Sequence, residues 1–382
     1  MGILEARGID ANWFPLSNGR PSATFEYRNF AAAYLILSLP LTLLLWIQAK
    51  KNTDFLLGIV ATTMMLTFLI YTRTRGAWVG FLGAICITLF IASFAKWRWK
   101  TPFAFTICWK NKTNQAITAL AVILLVFLAT LPPQIASPHS RAIDEGKLEL
   151  ANALSFATAP QADRGRRTLW THTIAMIQDH PLLGVGLNNW QYLYPLYDQG
   201  DMIGAQSAPV RPHNDWLWIA SEMGIPAWFI YMWFLTTIAL MVVRILQNTK
   251  NPSYGLYTLA ISASLLAMLG HGQVSFPKER IETNFIFWFG LGIIAQIATH
   301  TQNAKPIHHP ITKWGILSIP LVLLFCTGLS YCHIQFDRHY LRAYEYHQGN
   351  QYQGVIMEAN QALKWGNFNP PIYFLQGNGY RY

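Results

Sequence analysis

The segment 211–218, RPHNDWLW, combines side chains that could move a proton and hold an anion. Arg211 and His213 stand directly before a long apolar stretch, and Asp215 and Glu222 follow within it. Ionisable groups at the edge of a hydrocarbon phase cost free energy, so they need a partner or a function. A neutral imidazole can take the proton of an attacking hydroxyl group near pH 7. The pattern predicts His213 as a general base oriented by a neighbouring carboxylate, and a purely structural histidine is the alternative.

Arginines form two further clusters. Arg73 and Arg75 lie in the short segment YTRTRG between two apolar stretches, and DRGRRTLW holds Arg164, Arg166 and Arg167. A planar guanidinium group can pair two phosphate oxygens at once. The first turn of a helix favours acidic side chains, so arginines at a predicted helix start indicate a bound anion. We predict an anion site here, with a plain basic turn and a solvated helix start as alternatives.

Runs of apolar residues predict the elements that position these side chains. Of the 382 residues, 52% are hydrophobic and only 12% are charged, whereas soluble domains carry about a quarter charged residues. A helix of about 20 apolar residues spans the hydrocarbon core, which predicts an all-α, polytopic membrane protein with about eight transmembrane helices. The predicted spans are 30–49, 54–72, 76–95, 115–131, 225–243, 256–270, 284–299 and 314–331. The composition argues against a large soluble helical protein.

The net charge of +10 follows the predicted topology. The loops 50–53, 96–114, 244–254 and 300–313 hold lysines and arginines and not one Asp or Glu. Because cytoplasmic loops are enriched in basic residues, these loops are predicted to be cytoplasmic, and His213 is predicted to face the opposite side. The basic charge therefore predicts no nucleic-acid partner.

The predicted spans divide the chain into five parts. These are an outer N-terminal segment (1–29), a first membrane block (30–131), a long outer loop (132–213), a second membrane block (214–331) and a tail (332–382). Loops as long as the third part are usually functional or structured, and an amphipathic helix ending at Pro181 is predicted inside it. The tail has its Ala, Gly, Tyr and Pro in tetratricopeptide-like order, which predicts an extramembrane helical domain. The four cysteines have no CxxC or CxxH spacing, so we predict neither a disulfide framework nor a metal site.

Five motifs stand in order over about residues 22–300. They are ATFEYRNFAAAYLILSLPL, TRTRGAWVG, GRRTLWTHTIAMIQDHPLLGVGLNNW, RPHNDWLWIASEMGIPAWF and HGQVSFP. In kind and order they resemble the motifs of the O-antigen ligase superfamily. That superfamily comprises O-antigen ligases, lipid-linked glycan polymerases and pilin-type O-oligosaccharyltransferases. The resemblance implies a multi-pass protein of the bacterial inner membrane whose long loop and C-terminus are periplasmic. Its members usually have several spans before the first of these motifs, so further helices are expected upstream of residue 24.

The resemblance also implies an activity. Such enzymes move a glycan from undecaprenyl diphosphate to a hydroxyl acceptor, without a metal ion or other cofactor. The acceptor is a sugar of the lipid A core, a growing glycan or a protein hydroxyl, and the remaining partners are membrane lipids. By motif, the resemblance assigns the base to His213 and the donor diphosphate to Arg75 and Arg166.

The combined interpretation gives one candidate site. Its members are His213 as the catalytic base; Arg75, Arg166, Arg167 and Arg211 as ligands of the donor diphosphate; and Arg73, Asn214 and Glu222 as supporting residues. Two hypotheses of another class stay open. A transporter or flippase for anionic lipids would also need outward arginines, but it should show polar residues deep inside several spans. A non-catalytic scaffold for glycan assembly is the other.

Overall fold

The computed structural model describes residues 23–25, 27–103, 112–130, 165–204, 208–301, 313–366 and 371–381. The chain divides into two compact units, 1–304 and 305–382. The regular elements of the described residues are helices, as the sequence predicts. The part of the predicted outer loop that precedes residue 165, which includes Arg164, lies outside the described residues.

Twelve α-helices are described, and they are numbered here in chain order. They are α1 (Arg28–Ile47), α2 (Asn52–Tyr71), α3 (Arg75–Trp99), α4 (Lys112–Thr130), α5 (Arg166–Asp179), α6 (Trp190–Leu193), α7 (Asp215–Asn248), α8 (Pro252–His271), α9 (Ile281–Thr301), α10 (Lys313–Gln348), α11 (Tyr352–Trp365) and α12 (Pro371–Arg381). Within the described ranges, six helices (α1, α2, α3, α7, α8 and α9) are long and apolar enough to cross a membrane. The two other predicted spans fall largely within α4 and the first half of α10. The prediction of an all-α, multi-pass membrane protein is confirmed.

The two shortest predicted spans are longer in the structure. Helix α8 has 20 residues and α9 has 21. The side chain of Asn251 caps α8 by accepting the Ser253 N–H at 2.9 Å, and Pro252 stands at the first helical position, where its missing N–H costs nothing. Polar residues in the first turn of α8 hid this start from a hydropathy count.

Helices α3 and α8 cross closely at two glycines. A Cβ on Gly80 would lie 2.9 Å from the backbone nitrogen of His271, and one on Gly270 would lie 3.3 Å from the Cα of Gly80. Small residues let membrane helices approach to backbone contact. This crossing brings the start of α3 and the end of α8 together. Helices α1 and α7 begin at the same end of the bundle. We call this end the loop end.

Helix α7 is broken near its start. Gly224 has φ 83° and ψ 167°, a conformation open only to glycine. Pro226 has no N–H and therefore leaves the carbonyl of Glu222 without its helical donor. The sequence predicted a span that begins at residue 225; the structure adds a helical segment from Asp215 to the break.

Helix α5 ends two residues before Pro181, which confirms the predicted helix stop. The glycine-containing turn that follows closes on the break in α7. Val185 N–H donates to Ser221 O at 2.8 Å and Gly186 N–H donates to Glu222 O at 2.9 Å. These bonds replace those that the break removes from α7.

The second unit consists of α10, α11 and α12. Its core contains Phe336, Ala343, Val355, Ala359 and Ile372. The tail is therefore helical, as predicted, and its assignment to the tetratricopeptide type stays a prediction.

Candidate functional site

A polar pocket opens at the loop end of the bundle. Its lining includes four arginines, Arg28, Arg73, Arg75 and Arg166. Among the described residues that line it, none is Asp or Glu. Excess positive charge in a concave site attracts polyanions, so the chemistry of this lining suits a diphosphate group.

The turn between α2 and α3 is held firmly and presents Arg73 and Arg75. Arg73 has a left-handed φ of 48°, which is uncommon for a residue with a side chain. The Thr74 hydroxyl donates to Asn29 Oδ1 of α1 at 3.2 Å. The Trp78 indole donates to Leu69 O at 3.0 Å, which joins α3 to α2. The two predicted arginines therefore stand on a preorganised support.

Arg28 belongs to this pocket and was missed by the sequence analysis. It is the first residue of α1 and is only 8% exposed. Its Nη1 atom has no hydrogen-bond partner within the described residues. A buried donor without an acceptor is costly, and a bound anion would supply the acceptor. The signal was present in the motif YRN, where an arginine opens the first span on the side that carries Arg73 and Arg75.

His271, at the end of α8, also lines the pocket. In the sequence analysis its segment, HGQVSFP, stands only among the five motifs that carry the resemblance. The side chain is buried, and neither ring nitrogen makes a hydrogen bond of normal geometry within the described part of the chain. A Cβ on Gly76 would lie 3.2 Å from its Nδ1. The absence of a side chain at Gly76 therefore keeps the imidazole within reach of the pocket.

The two neighbours in the segment Arg166–Arg167 have different surroundings. Arg166 lines the pocket, whereas Arg167 is exposed and is not among the lining residues. Helix α5 buries Leu169 and Met176 on the face opposite Arg167. The Trp170 indole donates to the Pro212 carbonyl at 3.1 Å. Helix α5 thereby carries Arg166 to the pocket and is tied to the segment that carries the predicted base.

His213 lies beside the pocket. Its φ is 54°, and its ring meets Phe276 edge-on with 5.0 Å between centroids. Phe276 directly follows Ser275, which lines the pocket. The guanidinium of Arg211 lies over the same Phe276 ring, 4.3 Å from its centroid.

Arg211 was predicted as a ligand of the donor diphosphate, and that role stays a prediction. It forms an ion pair with Glu279 and is not among the lining residues of the pocket. Glu279 belongs to the loop between α8 and α9, so this partner could not be seen from the local motif. The contacts favour a role for Arg211 in holding the segment around His213.

Asn214 and Glu222 are structural supports. Asn214 Oδ1 accepts the N–H groups of Trp216 at 2.9 Å and Leu217 at 3.1 Å, which makes it the N-cap of α7. Glu222 Oε1 accepts the Trp190 N–H at 3.3 Å. The carboxylate of Glu222 thus holds the start of α6, and its predicted role in orienting the imidazole of His213 stays a prediction.

Asp215 and Lys278 form a second link between α7 and the loop after α8. The backbone N–H of Asp215 donates to Gly272 O at 2.8 Å. Lys278 Nζ lies 3.8 Å from the centre of the Tyr231 ring. Burial lowers the pKa of the Lys278 ammonium group, and the nearby charge of Asp215 opposes this shift. The loop 272–280 therefore contacts the chain on both sides of His213, at Arg211 and at Asp215.

The pocket lining consists of cationic and neutral groups, which suits an anion rather than a metal ion. Within the described ranges, no three His, Cys, Asp or Glu side chains come together as metal ligands would. The prediction that the chain needs no metal stays a prediction.

A family model described as O-antigen ligase matches residues 60–232 of the chain. The matched region runs from α2 into α7 and contains Arg73, Arg75, Arg166 and His213. Arg28 and His271 reach the same pocket from outside it. No curated protein matches the sequence.

Proposed function

We propose that this chain, a member of the O-antigen ligase superfamily, transfers a glycan from undecaprenyl diphosphate to a hydroxyl acceptor. Glycosyl transfer of the ligase or polymerase type is the activity of that superfamily. The apolar helices and the family match together support a multi-pass bacterial membrane protein. One observation carries the assignment of the donor. Four arginines converge in a pocket whose described lining has no carboxylate, next to the predicted base.

In the proposed reaction, the pocket holds the donor diphosphate. Arg75 and Arg166 pair its oxygens, and Arg28 and Arg73 complete the positive surroundings. Charge develops on the diphosphate as its bond to the sugar breaks. Donors that are already fixed in place stabilise that charge without a reorganisation cost. The rigid turn of Arg73 and Arg75 gives this preorganisation.

His213 acts as the base in the same step. The acceptor oxygen forms a bond to the anomeric carbon, and its proton passes to the imidazole. The bond between that carbon and the phosphate oxygen breaks, and undecaprenyl diphosphate leaves with the electron pair. A single displacement of this kind inverts the anomeric carbon.

The remaining predicted residues act around this centre. Arg211 holds His213 through Phe276 and Glu279, Asn214 starts the helix behind it, and Glu222 fixes the turn after α5. Arg167, on the exposed side of α5, meets the donor only outside the pocket.

We further propose that the loop end faces the periplasm and that the protein lies in the inner membrane. The basic loops at the opposite end support this orientation. Within the superfamily the acceptor is open among a sugar of the lipid A core, a growing glycan and a protein hydroxyl.

Transfer by the purified full-length gene product in proteoliposomes tests this function. Undecaprenyl-diphosphate oligosaccharide is supplied with each acceptor class, and products are identified by mass. We expect His213→Ala to lower kcat by about 10²–10⁴-fold, the range of a positioned base. Arg75→Ala should weaken donor binding, and the matched control Arg244→Ala, exposed near the opposite end of α7, should behave as wild type.

Three outcomes would contradict the proposal. Full transfer by His213→Ala would remove the base assignment. A wild-type protein that binds the glycolipid, transfers to no acceptor and moves a fluorescent lipid diphosphate across the bilayer would be a transporter; binding without transfer or movement would indicate a scaffold.

A further inference from the structure

The turn after α5 exposes an unusual amount of apolar surface. Leu182 is 71% exposed, Leu183 is 85% exposed and Leu187 is 71% exposed. The stretch PLLGVGLNN that contains them has no charged residue. Clustered exposed apolar side chains on a folded protein mark a surface that another phase or partner covers.

The turn is fixed against the break in α7. Ile225 N–H donates to Pro181 O at 2.8 Å. A Cβ on Gly224 would overlap the carbonyl oxygen of Leu182, and one on Gly184 would overlap the backbone of Glu222. The leucines therefore keep one position relative to α7.

The break in α7 marks a membrane boundary. The part of α7 after the break, 225–248, is about 36 Å long at 1.5 Å per residue, which covers a hydrocarbon core of about 30 Å. The residues beside and beyond the break carry exposed apolar side chains. They are Met223, Ile225, Phe229 and Ile230. The surface of these side chains is the lipid-facing surface of a span, and it begins where the turn is attached.

We propose that Leu182, Leu183 and Leu187 insert into the lipid leaflet at the loop end and anchor the turn there. The exposed leucines continue the lipid-facing surface of α7, and the turn carries no charge that would oppose insertion. The backbone groups freed by the break are paired with the turn, which is the condition for irregular backbone at membrane depth. The occupant of this surface is therefore lipid rather than a second protein.

This anchor fixes the height of α5 above the membrane. Helix α5 runs directly into the turn, and Arg166 lies at its first position. Because Arg166 also lines the pocket with Arg75, the anchored turn and the pocket hold the two ends of α5. This consequence rests on the proposed function, whereas the insertion itself does not.

Site-directed spin labelling of the full chain in lipid nanodiscs tests the insertion. The four native cysteines are replaced by serine, and single cysteines are introduced at Leu183, at the exposed loop residue Gln199 as a matched control, and at Phe229 as a lipid-facing reference. Accessibility to oxygen, which concentrates in lipid, is compared with accessibility to a water-soluble nickel chelate. We expect the label at 183 to favour oxygen by at least several-fold, as at 229, and the label at 199 to favour nickel.

Two results would overturn the proposal. Accessibility at 183 equal to that at 199 would place the turn in water. Shielding of 183 from both reagents would mean that protein covers it. A Leu182→Ser, Leu183→Ser variant with unchanged thermal unfolding gives a second check, because a label introduced at Leu187 of the same turn should then move toward nickel. None of these measurements requires transfer activity, so the failure of the anchor and the failure of the proposed function are distinguishable.

Discussion

The indole nitrogen of Trp170 donates a hydrogen bond of 3.1 Å to the carbonyl oxygen of Pro212. This bond joins the helix that carries Arg166 to the residue directly before His213. The anion pocket and the proposed base are therefore parts of one assembly, although they lie in different segments of the chain.

Trp170→Phe removes this hydrogen bond and keeps most of the packing. Loss of one such bond costs about 1 kcal/mol, and the carbonyl loses its donor. We expect kcat to fall several-fold, because His213 is held less firmly, while the KM for the donor stays near the wild-type value. A rise in the KM for the donor with an unchanged kcat would argue against this link.

Arg28 offers a direct test of the pocket. Arg28→Ala should weaken binding of undecaprenyl diphosphate by about tenfold or more, since hydrogen bonds to charged groups contribute about 1.5–3 kcal/mol. Arg28→Lys should recover part of the loss through charge alone, because lysine lacks the planar fork. Titration of the lipid against purified protein measures both. Unchanged affinity in Arg28→Ala would exclude Arg28 from the anion site.

The cap at Asn214 predicts a change in stability. Asn214→Ala should destabilise the start of α7 by about 1 kcal/mol, whereas Asn214→Ser and Asn214→Asp should stay close to wild type because both can cap. Thermal unfolding in detergent, followed by circular dichroism, compares the three. Equal unfolding temperatures for Asn214→Ala and wild type would mean that the cap contributes little.

The break in α7 predicts that Gly→Ala substitutions at different positions have different effects on the unfolding temperature. Gly224→Ala and Gly184→Ala should both lower the unfolding temperature, because each position has a positive φ and the new Cβ would overlap backbone of the other segment. Gly83→Ala and Gly292→Ala are matched controls, since a Cβ there meets nothing within 4 Å. These two should be neutral or stabilising, as expected for Gly→Ala in a helix. A uniform response of all four variants would contradict the packing of the turn on α7.

Asp198 predicts an acid-sensitive loop. Desolvation raises its pKa, but the N–H groups of Ile203, Met202 and Gly200 outweigh this, so that the pKa lies below its ordinary value of 3.8. A carboxyl with a lowered folded pKa gives stability that is present above 3.8 and is lost as the pH falls through the folded value. The unfolding temperature of wild type should therefore fall more between pH 6 and pH 3 than that of Asp198→Asn. Parallel curves would show that Asp198 does not contribute.

Sequence reasoning found the parts of the site that stand out locally. Arg73, Arg75 and Arg166 were identified because arginines are unexpected on the outer side of a membrane or at a helix start. Arg28 was missed because it is a single arginine at the end of the predicted outer segment 1–29 rather than a member of an arginine cluster.

Long-range partners explain the other differences. Glu279, which pairs with Arg211, and Trp190, which bonds to Glu222, are remote in sequence from the residues they contact. No local spacing encodes such pairs. The helical architecture was predictable because hydropathy over about 20 residues determines a span, whereas the break at Gly224 depends on a turn that comes from another part of the chain.

The four arginines that line the pocket have a consequence for turnover. In the proposed reaction, the diphosphate stays on the lipid carrier after the glycan has left. The same four arginines that hold the loaded carrier hold the spent one. The spent carrier therefore competes for the site, and we expect its departure, rather than bond breaking, to set the pace of successive cycles.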